Sequence, residues 1–280
     1  MTTRTSPQIS DPWQSYVDRE LRRGVEPAAL RDVLQSRGLD QSRQRALMGE
    51  AYAGRTPASA ADHQALARVR LTSRVAKTPD LVRVPTSRAQ LYTWRNFLSA
   101  EDCDAVIALI DQDLRQSTTV DAFADPNVRT SRSSDIGTRG LPLIHRIDDL
   151  MSEAIGIHWS YSDQSQAQRY DVDQEYKAHH DYFTPGTRDH KVHCQFRGQR
   201  TWTFMIYLND VEEGGATRFR KLERSIRPER GKAVIWNNLN PDGSVNPYTL
   251  HHGMKVRAGV KYVITKWYRE RGWGPMLLAP

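Results

Sequence analysis

Cysteine is nearly absent: the 280 residues hold two, Cys103 and Cys194. Two thiols cannot build a dense disulfide framework, and a reducing cytoplasm is their simplest setting. Long apolar runs are missing as well. No stretch approaches the roughly 18–20 apolar residues of a membrane span, so no membrane association is expected. Residues 1–13 lack a charged segment followed by an apolar one, so no secretory leader is expected. Neither sign of charge dominates. Lys plus Arg number 40 against 33 Asp plus Glu, a formal charge of +7. So small a surplus reads as a solvated surface; it admits an acidic substrate and argues against nucleic acid as the partner. What is present, 38% hydrophobic and 26% charged residues, is the mixture of a soluble globular protein with one or two domains and a sizeable core.

Residues 1–85 read as a helical N-terminal module and linker. Asp11-Pro12 opens one helix with Trp13, Tyr16, Val17 and Leu21 on a face, and Glu26-Pro27 opens a second that Gly38 ends. A third helix is expected over 41–52 and a fourth over 57–71, with Thr56 as its cap and Pro57 in the first turn. This module packs on or extends the main domain, residues 86–280. There, Ser99 caps a helix carrying Cys103, Val106, Ile107, Ile110 and Leu114, and another helix covers 143–155. After about Ala167 the pattern turns to β. Strands are expected at 201–208, 233–236 and 262–268, separated by glycine-bearing turns. Short strands punctuated this way imply a sandwich or barrel, not a doubly wound sheet.

Within the β region lies a His-x-Asp, His179 and Asp181. Residues two apart on a strand share a face, so these two converge while His180 turns away. An imidazole and a carboxylate are two of the three ligands of the 2-His-1-carboxylate triad of non-haem Fe(II). The motif alone is equally served by solvated side chains. Downstream stand His251 and His252, with Lys261 ten positions after the first. A lysine buried near such a site needs a carboxylate partner, and the far carboxylate of 2-oxoglutarate is suitable.

Several further pieces occur together in order. They are Asn96-Phe97-Leu98-Ser99, Arg129-Thr130-Ser131, Tyr170, Gly198-Gln199-Arg200, the run from Tyr207 to Phe219, Gly231-Lys232-Ala233, and the segment from His251 to Trp267. From Leu91 to Trp273 the chain resembles the prolyl 4-hydroxylase family of Fe(II)- and 2-oxoglutarate-dependent dioxygenases. The resemblance implies an α+β protein whose catalytic core is a double-stranded β-helix, or jelly roll, with supporting helices. It implies His179, Asp181 and His251 as metal ligands. Lys261, Tyr170 and Thr203 would bind the cosubstrate, and Tyr176, Trp267 and Arg200 would line the substrate side. The family pattern favours His251 over His252 as distal ligand. The implied cofactors are Fe(II), 2-oxoglutarate and O2, with ascorbate as reductant. The implied reaction hydroxylates an unactivated C–H bond and releases succinate and CO2. Asp181 argues for hydroxylation, because related halogenases have a small residue there. Related nucleic-acid demethylases hold 2-oxoglutarate with arginine, so Lys261 also argues against a nucleic-acid substrate.

The chain departs from the family between Tyr170 and Tyr176, where Asp171-Val172-Asp173-Gln174-Glu175 replaces glycines, and after His251, where Met254-Lys255-Val256 replaces Cys-Pro-Val. These changes spare the iron and cosubstrate positions and alter the substrate cleft. The expected substrate is a prolyl or other residue in a peptide or protein; the alternative is a free amino acid or other small metabolite. A catalytically silent binding module is a further reading, opposed by the complete triad. The stretch 184–199 reads as a substrate lid or a solvated connector, and His190, His193 and Cys194 within it lack a fourth ligand for a second metal site. The oligomeric state is not legible in the sequence.

Overall fold

A computed structural model describes residues 11–55, 60–69, 71, 77–118 and 128–277. Two β-sheets face each other as a jelly roll. The larger has eight strands. They are β1 (Leu81–Arg83), β2 (Leu91–Trp94), β3 (Arg115–Gln116), β4 (Arg132–Ser134), β5 (Gln166–Tyr170), β7 (Arg200–Tyr207), β11 (Ala233–Asn237) and β14 (Lys261–Arg269). Their spatial order is β1-β2-β11-β7-β14-β5-β4-β3. The smaller sheet runs β10 (Arg224–Ile226), β9 (Thr217–Phe219), β12 (His251–Gly253) and β6 (Tyr176–His179). A short pair, β8 (Glu213–Gly214) with β13 (Val256–Ala258), completes the roll.

Period-two alternation divides the core. On β7, Trp202, Phe204 and Ile206 point to one side of the large sheet, and Met205 and Tyr207 to the other. The first set joins Ile235, Ile264 and Tyr268 against two helices, α5 (Ala100–Ile110) and α6 (Pro142–Ile155). The second set meets Phe219 and Ile226 of the small sheet. Both faces of β7 are buried, which is why its second half, Phe204–Tyr207, has no alternation of apolar with charged residues.

The expected helices are present with shifted ends. The Asp11 side chain caps α1 (Pro12–Arg22), α2 spans Pro27–Ser36, and Ser99 caps α5, which stops at Ile110. The third helix, α3 (Gln41–Met48), is shorter than expected. Gly49, at φ +53°, breaks it, and residues Gly49–Ala53 continue as a 3-10 turn. The fourth, α4, is Ala60–Arg68; Thr56 and Pro57 lie outside the described residues. Val17, Leu21, Leu30, Leu34, Leu47 and Met48 of α1–α3 form a separate cluster closed by Trp273 from the far end of the chain.

Candidate active site

The register of the small sheet puts His251 of β12 directly opposite His179 of β6. Asp181 lies two residues past His179, beyond the end of β6, yet its carboxylate returns to the same point. His179 Nε2 stands 3.6 Å and His251 Nε2 3.9 Å from Asp181 Oδ1. Donor atoms of the three lie within 4.8 Å of one another, the only such group of His, Cys, Asp or Glu among the described residues. His180 turns away, stacks on Tyr182 and faces the Pro247 carbonyl.

Each donor is oriented from behind. His179 Nδ1 donates to the Lys177 carbonyl at 2.8 Å and His251 Nδ1 to the Thr249 carbonyl at 2.9 Å. That fixes the tautomer and leaves both Nε2 lone pairs aimed inward. Burial, together with neighbouring His179, lowers the pKa of His251 to about 4, so it is a neutral donor at neutral pH. Asp181 is 7% exposed. Burial by itself would raise its pKa, but His251, His179 and Arg200 outweigh burial and hold the carboxyl well below the usual range. The result is two imidazole nitrogens and one carboxylate, the donor set that Fe(II) takes in a facial triad.

The large sheet supplies the opposite wall. On β14, Lys261, Val263, Thr265 and Trp267 alternate onto one face, and β5 adds Gln166, Gln168 and Tyr170; all line one cavity of about 610 Å³ with the triad. Lys261 is paired in register with Tyr170. It is 2% exposed and has no carboxylate partner among the described residues. The rings of Tyr170 and Tyr207 approach its ammonium at 4.8 and 5.6 Å. Burial lowers its pKa to about 7. Gly215 and Gly253 flank it, at distances where an added Cβ would make ordinary van der Waals contact with its side chain, 3.4 Å from Cδ and 3.8 Å from Nζ.

Tyr176 stacks on His179 with ring centroids 3.5 Å apart. The Arg200 guanidinium lies over Trp267 at 3.9 Å, and both line the cavity. Thr203 differs from the expectation of a cosubstrate contact. It is fully buried, its hydroxyl donates to Asp181 Oδ2 at 2.7 Å, and Asn238 donates to that hydroxyl at 2.9 Å. It orients the carboxylate and is absent from the cavity wall.

Sequence reasoning gave no role to Arg129, which is 9% exposed and lines the cavity 5.0 Å from the Tyr176 ring. Gln166 accepts from it at 3.0 Å and Ser133 at 3.2 Å. Its place in the Arg-Thr-Ser run was the available signal. The 184–199 stretch contains a short helix, α7 (Arg188–His193), capped by Thr187. Thr187, Asp189 and His193 reach the cavity. His252 leaves the site and pairs with Glu175 at 2.8 Å.

Residues 165–269 match the model of the 2OG-Fe(II) oxygenase superfamily. Probable prolyl 4-hydroxylase 10 of Arabidopsis thaliana is 30% identical over 205 residues, 65% of this chain and 68% of the relative. Prolyl 4-hydroxylase 1 of the same plant is 28% identical over 221 residues, 70% of this chain and 76% of the relative. Among solved structures, the viral collagen prolyl hydroxylase of Paramecium Bursaria Chlorella virus-1, in its 2OG complex, shares the fold. Its TM-score is 0.51 at 24% identity, over 64% of this chain and 94% of that one.

Proposed function

On the premise that the chain belongs to the prolyl 4-hydroxylase family of 2-oxoglutarate- and Fe(II)-dependent oxygenases, we propose that it hydroxylates prolyl residues in a peptide or protein. One observation carries the assignment of residues. A buried two-histidine, one-carboxylate group shares a cavity with a buried lysine that has no carboxylate partner among the described residues. Such a lysine is an anion site awaiting its anion.

His179, Asp181 and His251 would hold Fe(II) through Nε2, Oδ1 and Nε2. Bound Fe(II) with 2-oxoglutarate and O2 supplies the oxidising chemistry, which yields succinate, CO2 and a hydroxylated substrate carbon. The protein supplies position. Lys261 takes the far carboxylate of 2-oxoglutarate, with the Tyr170 ring beside its ammonium. Arg200, Trp267 and Tyr176 form the wall that the acceptor meets. Ascorbate serves as the reductant that keeps iron ferrous. The catalytic domain proposed over residues 86–280 also takes in β1 (Leu81–Arg83), an edge strand of its large sheet, and the helical appendage ahead of it is α1–α3, which keep a core cluster of their own. No helix among the described residues is long and apolar enough to cross a membrane.

The direct test is an acceptor screen. The purified chain is given Fe(II), 2-oxoglutarate, ascorbate and either proline-containing peptides or free amino acids. Peptide-stimulated succinate, with one oxygen gained on proline by mass spectrometry, is the expected result. Stimulation by free amino acids alone would overturn the peptide reading while leaving the reaction class standing.

The position of Thr203 carries a second expectation. Thr203→Val keeps the shape and removes the hydroxyl that orients Asp181. Fe(II) affinity should fall about 10–100-fold, the usual cost of losing an outer-shell partner. Metal titration of the unloaded protein measures it, and unchanged affinity would remove Thr203 from that role.

A further inference from the structure

Four arginine side chains lie largely out of water in one ion-pair network that reaches the cavity wall at Arg200: Arg55, Arg197, Arg200 and Arg269, at 8%, 19%, 16% and 5% exposed. Buried guanidinium groups need carboxylates. Asp163 meets three of them, with Arg197 at 3.4 Å, Arg200 at 3.2 Å and Arg269 at 3.1 Å. Glu26, immediately before α2, meets Arg55 at 2.9 Å and Arg197 at 3.0 Å. Arg197 is therefore shared between a carboxylate of the helical module and one of the catalytic core. Burial would raise the pKa of both acids, yet the arginines around each hold it low.

The chain of contacts ends at the cavity in two places. Asp163 fixes Arg200, whose guanidinium lies on Trp267 and donates to the Asp181 carbonyl at 3.4 Å. Asp163 also fixes Arg269, which donates to the carbonyls of His193 and Gly198. Those carbonyls belong to the segment that brings α7 to the cavity. Gln199 staples the segment's two ends, accepting from the Phe183 amide at 2.8 Å and donating to the Phe183 carbonyl at 2.7 Å. The module itself contributes no residue to the cavity wall; Arg197 is the ion-paired route by which it reaches that wall, and a second route runs from Arg55 to the Arg271 carbonyl and from Arg271 to the Gln195 carbonyl.

We propose that the N-terminal helical module positions the acceptor site: Glu26, acting through Arg197 and Asp163, holds Arg200 against Trp267 and anchors the segment carrying α7. Glu26 is a positioning residue and touches no reactant. The proposal rests on reading this end of the cavity as the place where the acceptor binds.

The test is a double-mutant cycle on the full chain with Glu26→Gln, Arg197→Gln and the pair. Glu26 is partly exposed, so its variant is expected to fold; far-UV circular dichroism and thermal melting check this. The first readout is amide hydrogen exchange across residues 184–199, which needs no acceptor. Glu26→Gln should speed exchange there about threefold to tenfold, with β12 unchanged, and the pair should be no faster than Arg197→Gln alone. The second readout is kinetic. Glu26→Gln should raise KM for a proline-containing peptide about threefold to tenfold, leaving KM for 2-oxoglutarate and acceptor-free succinate formation at wild-type values. Exchange equal to wild type, or effects of the two changes that simply multiply, would overturn the positioning role. If the wild type hydroxylates no peptide, the peptide reading fails, and the exchange cycle still decides the positioning role.

Discussion

Asp181→Ala is expected to reduce both Fe(II) binding and 2-oxoglutarate-dependent succinate formation to the level of a protein-free control. Asp181 is the one carboxylate in the donor group. Without it two imidazoles remain, too few donors and no anionic group to hold a divalent ion. The loss should exceed the roughly 100-fold that outer-shell changes cost. His251→Ala should do the same. His252→Ala should not, because its imidazole points at Glu175, away from the triad. Metal titration and succinate assay of the three variants separate the neighbouring histidines. Retention of more than about a tenth of wild-type turnover by the Asp181 variant would remove that residue from the ligand set.

Lys261→Met carries the second large effect, and its two consequences have opposite signs. A buried ammonium without a carboxylate costs stability, and burial already lowers its pKa to about 7. Methionine fills similar volume without that cost. The unloaded variant should therefore melt at or above the wild-type temperature. Its response to 2-oxoglutarate should collapse. Breaking a buried ion pair costs about 3–5 kcal/mol, which corresponds to a rise of about two to four orders of magnitude in the cosubstrate requirement. In a thermal shift assay with a redox-inert divalent metal, 2-oxoglutarate raises the melting point of the wild type and not of the variant. A variant that melts far lower when unloaded, or that keeps its cosubstrate requirement, would refute this account of the lysine.

How much of this was legible in the sequence depended on distance along the chain. Strands β7 and β14 announce themselves because both of their faces are buried and the residues are β-branched or aromatic. The convergence of His179 with Asp181 follows from spacing, although the turn after β6, and not strand parity alone, brings the carboxylate round. The partnership of His251 with His179 is a register fact across 72 residues, and only the family resemblance anticipated it. Thr203 looked like one more hydroxyl facing the cavity. Its actual bond to Asp181 depends on Asn238, which sits on a different segment and drew no notice. Arg129 is hidden for a similar reason: its burial comes from Gln166 on another strand. The helices of the module are legible from their caps and apolar faces, and its packing is not, because part of its core, Trp159 and Trp273, comes from residues more than a hundred positions away.

The two halves of the active site belong to different sheets. His179 faces His251 within the smaller one, and Lys261 faces Tyr170 within the larger. A cosubstrate held at both ends, as proposed above, would act as a rivet through the roll, tying one layer to the other. Loading would then make the sandwich mechanically continuous, since prying the layers apart would first require the rivet to leave, and resistance to proteolysis in vitro should rise with 2-oxoglutarate concentration.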